Sequence, residues 1–134
     1  MMKHTGEANS LSIASDLADS GRVDEAKGVL RGVLAAHGDS FETLLRLLAL
    51  EQITQSVASA SDSEIWIERL RTVGLRATVR QRYRLAVLFF AMGRYQLSWE
   101  QTWIAKQADD LDDQVSVELS ELQRILLGEV AGKY

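Results

Sequence analysis

Six arginines, Arg69, Arg71, Arg76, Arg80, Arg82 and Arg84, fall within 16 consecutive residues and form the densest store of one chemistry in the chain. A guanidinium offers a planar fork of donors to a carboxylate or a phosphate. Arg80 and Arg84 are one helical turn apart, so a helix puts them on one face, with Tyr83 and Val87 beside them. A second constellation is aromatic: Tyr95, Trp99 and Trp103 recur every fourth residue. On a helix they make a single stripe, which reads first as core. Left open, the same stripe is a patch for a partner, because Trp, Tyr and Arg dominate binding hot spots. A third is acidic. Asp109-Asp110 and Asp112-Asp113 flank Leu111, but the glycine and the distal glutamate of a calcium loop are missing. They read as a solvated loop whose negative charge suits the start of the next helix.

Other chemistries are excluded more firmly. The chain has no cysteine, so thiol nucleophiles, disulfides and cysteine-held metals are ruled out. It has two histidines, His4 and His37, and neither has a plausible nucleophile partner nearby in sequence. His37 falls at a helix end, where an imidazolium suits the dipole. No glycine-rich phosphate loop of the required spacing occurs. No catalytic constellation emerges, so the expectation is a protein that is not an enzyme and holds neither metal nor cofactor. Lys plus Arg is 15 against 19 Asp plus Glu, a net charge of -4, which argues against a general nucleic-acid binder. No apolar run reaches membrane-spanning length and the first seven residues lack an apolar signal core, so a cytoplasmic protein without membrane contact is expected.

The elements that must position these residues are helices. At 134 residues one domain is the prior, here 9–128, with a flexible tail over 1–8 and another over 129–134. There is no proline, which fits helices joined by short turns. A first helix is expected over Leu11–Ser20, capped by Asn9 or Ser10 and stopped by Gly21. A second runs to His37 on the stripe Val23, Ala26, Val29, Leu30, Val33 and Leu34, with Gly28 and Gly32 as a close-packing pair. Asp39 and Glu42 read as the capping box of a third, apolar around much of its circumference and so central to a bundle. Ser56–Ser61 reads as a loop, and Ser61 with Glu64 as the box opening a fourth helix to Gly74. Thr78 and Gln81 open a fifth that ends at Gly93. A sixth runs from Arg94 to about Ala108, and a seventh follows Asp112-Asp113. No period-two alternation predicts a strand.

Two turns resemble each other. Leu17-Ala18-Asp19-Ser20-Gly21-Arg22-Val23 and Phe89-Phe90-Ala91-Met92-Gly93-Arg94-Tyr95 place their Gly-Arg pairs 72 residues apart, about two units of 36. With small residues at Ala14 and Ala86, and at Ala26 and Ser98, the pattern resembles the tetratricopeptide repeat (TPR). The middle unit, Ser40 to Gly74, lacks the glycine turn, and the family's unit-ending proline is absent, with Gly38 and Asp110 near those places. The resemblance implies an all-α protein. About seven helices would form antiparallel hairpins in a right-handed superhelix, with a C-terminal capping helix.

In such a superhelix the first helix of each hairpin lines a concave groove. The resemblance therefore implies a partner site at Arg80, Tyr83, Arg84, Val87 and Phe90, suited to a peptide or helix with apolar anchors and an acidic group. The family's clamp for chaperone C-termini uses paired Lys and Asn. This chain has one Asn, Asn9, and four scattered Lys, so that role is not expected. Size and fold are similar to those of cytosolic chaperones and adaptors of bacterial secretion systems. The reading is a non-catalytic protein-interaction module, with Tyr95, Trp99 and Trp103 as a second candidate interface; an apolar patch left open at the end of the stack would also favour a homodimer. The alternative is a nucleic-acid-linked regulatory protein that uses the Arg69–Arg84 segment.

Overall fold

The computed structural model describes the backbone of residues 2–54, 57–109 and 111–131. Among these residues the chain is all-helical, with seven α-helices and no strand. They are α1 (Met2–Asp19), α2 (Val23–His37), α3 (Phe41–Thr54), α4 (Val57–Val73), α5 (Val79–Ala91), α6 (Tyr95–Lys106) and α7 (Asp113–Ala131), with a 3-10 turn at Gly74–Arg76 between α4 and α5. The chain divides into two compact units, Met1–Leu75 and Arg76–Tyr134.

In the first unit α1 packs on α2, α2 on α3 and α3 on α4. The expected apolar character of α3 is realised: Phe41, Leu44, Leu45, Leu47, Leu48 and Leu50 are all buried. On α2 the stripe buries Ala26, Leu30, Val33 and Leu34. Ala14 of α1 is buried as well. In the second unit α5 packs on α6, and both pack on α7. Two buried clusters form there. Ala86, Leu122 and Leu126 make one, joined by Tyr83, Phe90 and Tyr95. Ala105, Val115 and Leu119 make the other, joined by Val79, Tyr83 and Leu111.

The two Gly-Arg turns are the same structure, bond for bond. In the first, the Gly21 amide donates to Ala18 at 3.0 Å and the Arg22 amide to Leu17 at 2.8 Å. In the second, Gly93 donates to Phe90 at 3.0 Å and Arg94 to Phe89 at 2.8 Å. This is the paired hydrogen bonding of a glycine-capped helix end. It requires positive φ, and Gly21 and Gly93 have φ of 84° and 77°. The next residues also match, Arg22 at φ -91°, ψ 62° and Arg94 at φ -90°, ψ 69°. The small residues that follow, Ala26 and Ser98, are both fully buried. Ser98 Oγ donates to the Ala86 carbonyl at 2.7 Å, so the hydroxyl is satisfied at the point where α5 and α6 approach closely.

Several local expectations are corrected. The first helix starts at Met2, so Asn9 and Ser10 lie inside it and cap nothing. The cap before α3 is Ser40, whose Oγ accepts from the Thr43 amide at 3.3 Å. Asp39 is instead drawn away by Arg69. Residues Val57–Ser61 are helical, so Ser61 and Glu64 are interior to α4 rather than a capping box. Ser56 lies outside the described residues. Gly28 and Gly32 are exposed, and a Cβ at either meets nothing within 4 Å, so they do not serve helix packing. The Thr78–Gln81 box is present with both of its hydrogen bonds. Asp112 Oδ1 accepts from the Val115 amide at 2.8 Å, the expected N-terminal cap of α7. Asp110 and residues 132–134 lie outside the described residues.

Candidate functional site

On α5 the structure separates the residues that the sequence grouped. Tyr83 and Phe90 are half-buried and pack into the cluster with Leu122 and Leu126 of α7. Arg80, Arg84 and Val87 face outward, Val87 with 40% of its surface exposed. The spacing explains the split. Tyr83, Ala86 and Phe90 make one stripe of the helix, and Arg80, Arg84 and Val87 make its neighbour. The second stripe is the more exposed of the two.

The aromatic stripe on α6 is likewise divided. Tyr95 is half-buried and tilts against Phe90, with ring centroids 5.6 Å apart. Trp99 and Trp103 are outside, 36% and 55% exposed. The expectation that this stripe is core therefore holds for Tyr95 and fails for the two tryptophans. The inward face of α6 is instead made by Ser98, Gln101, Thr102 and Ala105. These small and polar residues give no strong hydrophobic signal, and the large aromatics drew the reading to the wrong side of the helix.

The arginine cluster is largely engaged within the protein. Arg69 makes a bidentate pair with Asp39, its Nε donating at 2.9 Å. The Arg69 guanidinium holds the Asp39 carboxyl below its usual range, and Asp39 in turn raises Arg69. Arg69 also lies 5.0 Å from the ring of Trp66. Arg71 pairs with Glu68 at 4.0 Å and Arg80 with Asp112 at 3.9 Å, both across exposed surface. Arg82 donates to Gln101 Oε1 at 3.1 Å, and burial lowers its pKa from the usual arginine value. Charge that the sequence displays as one block is thus divided among separate local partners.

Two features of the first unit escaped the sequence. Lys27 of α2 and Glu51 of α3 are buried and meet at 2.8 Å. Glu51 Oε1 is also 3.5 Å from Arg31, which reaches Asp62 at 3.4 Å. The second is a pocket of about 330 Å³ between α2 and α4, lined by Arg31, Leu34, Ala35, Trp66 and Arg69. The spacing of Arg31 and Ala35 on α2, and of Trp66 and Arg69 on α4, is helical. Nothing in sequence says that these two faces meet. His37 ends α2 as expected, and its Nδ1 is buried with no partner among the described residues. The side chain of His4 lies outside the described residues.

Compared with protein-family models and with curated proteins, the chain finds no match. Among the described residues no helix is long and apolar enough to cross a membrane.

Proposed function

We propose that the chain is a non-catalytic protein-interaction module built from TPR-like helical repeats, working as an adaptor or chaperone for a partner protein. The observation that carries this reading is the outward placement of Trp99 and Trp103, one turn apart on α6. A folding chain gains by burying indoles, and this one leaves two of its three tryptophans in contact with solvent. Adjacent exposed Trp side chains are the anchors from which protein interfaces are built. Arg80, Arg84 and Val87 add a second exposed stripe in the same unit. The repeat reading is supported by the bond-for-bond identity of the turns at Gly21 and Gly93 and by the buried small residues beyond them.

The nucleic-acid reading has less support. Arg69, Arg71 and Arg80 are each balanced by a carboxylate and Arg82 is engaged by Gln101, so little of the block remains as a phosphate surface.

The test is capture of partners from the host's lysate, after nuclease treatment, by three forms of the protein. These are the wild type, Trp99→Ala/Trp103→Ala and Arg80→Ala/Arg84→Ala. One protein recovered in near-equal amount by the wild type, and lost with one of the variants, is the expected result. If both variants keep their helical circular dichroism and recover the same proteins as the wild type, the module does not use these surfaces. Recovery of nucleic acid alone, before nuclease, would move the function to the arginines.

A further inference from the structure

We infer that the pocket between α2 and α4 is a binding site for a monocarboxylate carried on an aromatic or aliphatic body. Its lining divides into two chemistries. Leu34, Ala35 and Trp66 supply an apolar wall, and Arg31 and Arg69 supply two guanidiniums. No carboxylate is among the lining residues; the carboxylates that pair with the two arginines, Asp39, Asp62 and Glu51, lie outside the lining. A volume of about 330 Å³ lies at the small end of ligand pockets and fits one ring or branched chain with its acid group.

The two arginines are held differently, and the difference gives them different roles. Arg69 is fixed by two hydrogen bonds to Asp39 and by the ring of Trp66 beneath it. It keeps Nη1 for a ligand and does not need to be ordered when one arrives. Arg31 makes all its contacts through Nη2, at 3.4 and 3.5 Å, and keeps Nε and Nη1. The pair with Asp62 is long and half-exposed, and such pairs hold a side chain weakly, so Arg31 can release Asp62 for a ligand at small cost. Asp39, Asp62 and Glu51 are each within ion-pair distance of one of the two arginines. Their charge opposes a dianion more than a monoanion, and that selects a carboxylate over a phosphate monoester. The site belongs to the first unit and is independent of the surfaces proposed on α5 and α6.

The experiment uses Trp66 as its own reporter. In a Trp99→Phe/Trp103→Phe background Trp66 is the one remaining tryptophan, and its emission is followed as 3-phenylpropionate is added. A saturable change is expected, absent with the neutral 3-phenylpropionamide and at least about tenfold weaker with phenyl phosphate. Arg31→Gln should weaken binding by about tenfold or more. Because Arg31 also touches Glu51, a second variant separates binding from folding. Ala35→Phe fills the pocket from an exposed helix position and should abolish binding while leaving the melting temperature near that of the parent. A peptide ending in phenylalanine with a free carboxyl, compared with its amide, identifies the source. Tighter binding than 3-phenylpropionate assigns the site to chain termini, and weaker binding assigns it to free small acids. Equal response to the acid and the amide, or unchanged affinity in the folded Ala35→Phe protein, overturns the inference.

Discussion

Lys27 Nζ lies 2.8 Å from Glu51 Oε1, and both side chains are almost wholly buried between α2 and α3. The approach is that of an ion pair without hydrogen-bond alignment, since neither Glu51 oxygen has a hydrogen-bond partner among the described residues. Lys27 spends one donor on Thr54 Oγ1 at 3.5 Å. Charges in such a place are costly to desolvate, and their mutual attraction offsets part of that cost. Removing one partner leaves the other buried and unmatched. Glu51→Gln should therefore destabilise the protein by about 3 kcal/mol, read as the shift of a urea midpoint. The double change Lys27→Met/Glu51→Met should lie within about 1 kcal/mol of wild type or above it. If the double variant is as weak as the single one, the pair is not the cause.

The glycines divide into two groups with opposite predicted signs. Gly21 and Gly93 sit at positive φ in the two matching turns, where an L side chain costs about 1–2 kcal/mol. Gly38, at φ 81° and ψ -178°, occupies a region open to almost no other residue, and Gly38→Ala should cost up to about 3 kcal/mol. Gly28 and Gly32 are exposed within α2, with open space where a Cβ would stand. Gly28→Ala and Gly32→Ala should each stabilise by about 0.5–1 kcal/mol. Thermal melts of the five single variants decide the matter. A destabilising Gly32→Ala would show that this face of α2 packs against something after all.

Much of the helical layout was legible in the sequence, because local chemistry sets it. The Thr78–Gln81 box, the Asp112 cap and the Gly21 and Gly93 turns are each decided within about six residues, and each appears as read. The failures come where a distant partner outweighs a local preference. Asp39 is a good cap for α3, yet Arg69, 30 residues away, takes its carboxylate and Ser40 caps instead. Ser61 and Glu64 spell a capping box, but α4 already begins at Val57 and a box inside a helix has no free amides to satisfy. The α6 stripe misled for another reason. Burial favours large apolar residues on average, but α6 turns Ser98 and Thr102 inward and leaves Trp99 and Trp103 outside. The Lys27–Glu51 pair and the α2–α4 pocket were invisible because they depend on which helix faces meet.

The Asp39–Arg69 pair gives a pH dependence with a fixed sign. Arg69 lowers the Asp39 carboxyl below its usual value of 3.8, so the folded state favours the ionised form. A group depressed in this way contributes its stability in full above the unfolded pKa. It loses that contribution as pH falls through the folded value. Both side chains are about one-third exposed, so after solvent screening the contribution is about 0.5–1 kcal/mol. Asp39→Asn should melt below wild type at pH 7, and the two melting curves should converge as the pH falls below the carboxylate range. A gap that persists in acid would assign the loss to the Arg69–Trp66 stack rather than to charge.

The outward tryptophans make a prediction that separates surface from core without reference to a partner. Trp66 is 8% exposed, against 36% for Trp99 and 55% for Trp103. Acrylamide should quench Trp99 and Trp103 readily, and in single-tryptophan variants Trp66 should be the protected one. Stability should follow the same division. Trp103→Ala removes a side chain that is mostly in water and should cost less than about 1 kcal/mol. Phe89, fully buried on α5, should cost about 3–5 kcal/mol when cut to alanine. A severe loss of stability in Trp103→Ala would mean that the indole is held by the fold and is not presented to a partner. A folded Trp99→Ala/Trp103→Ala protein, near wild type in its midpoint, keeps the patch available for recognition and makes the double variant a clean probe of binding.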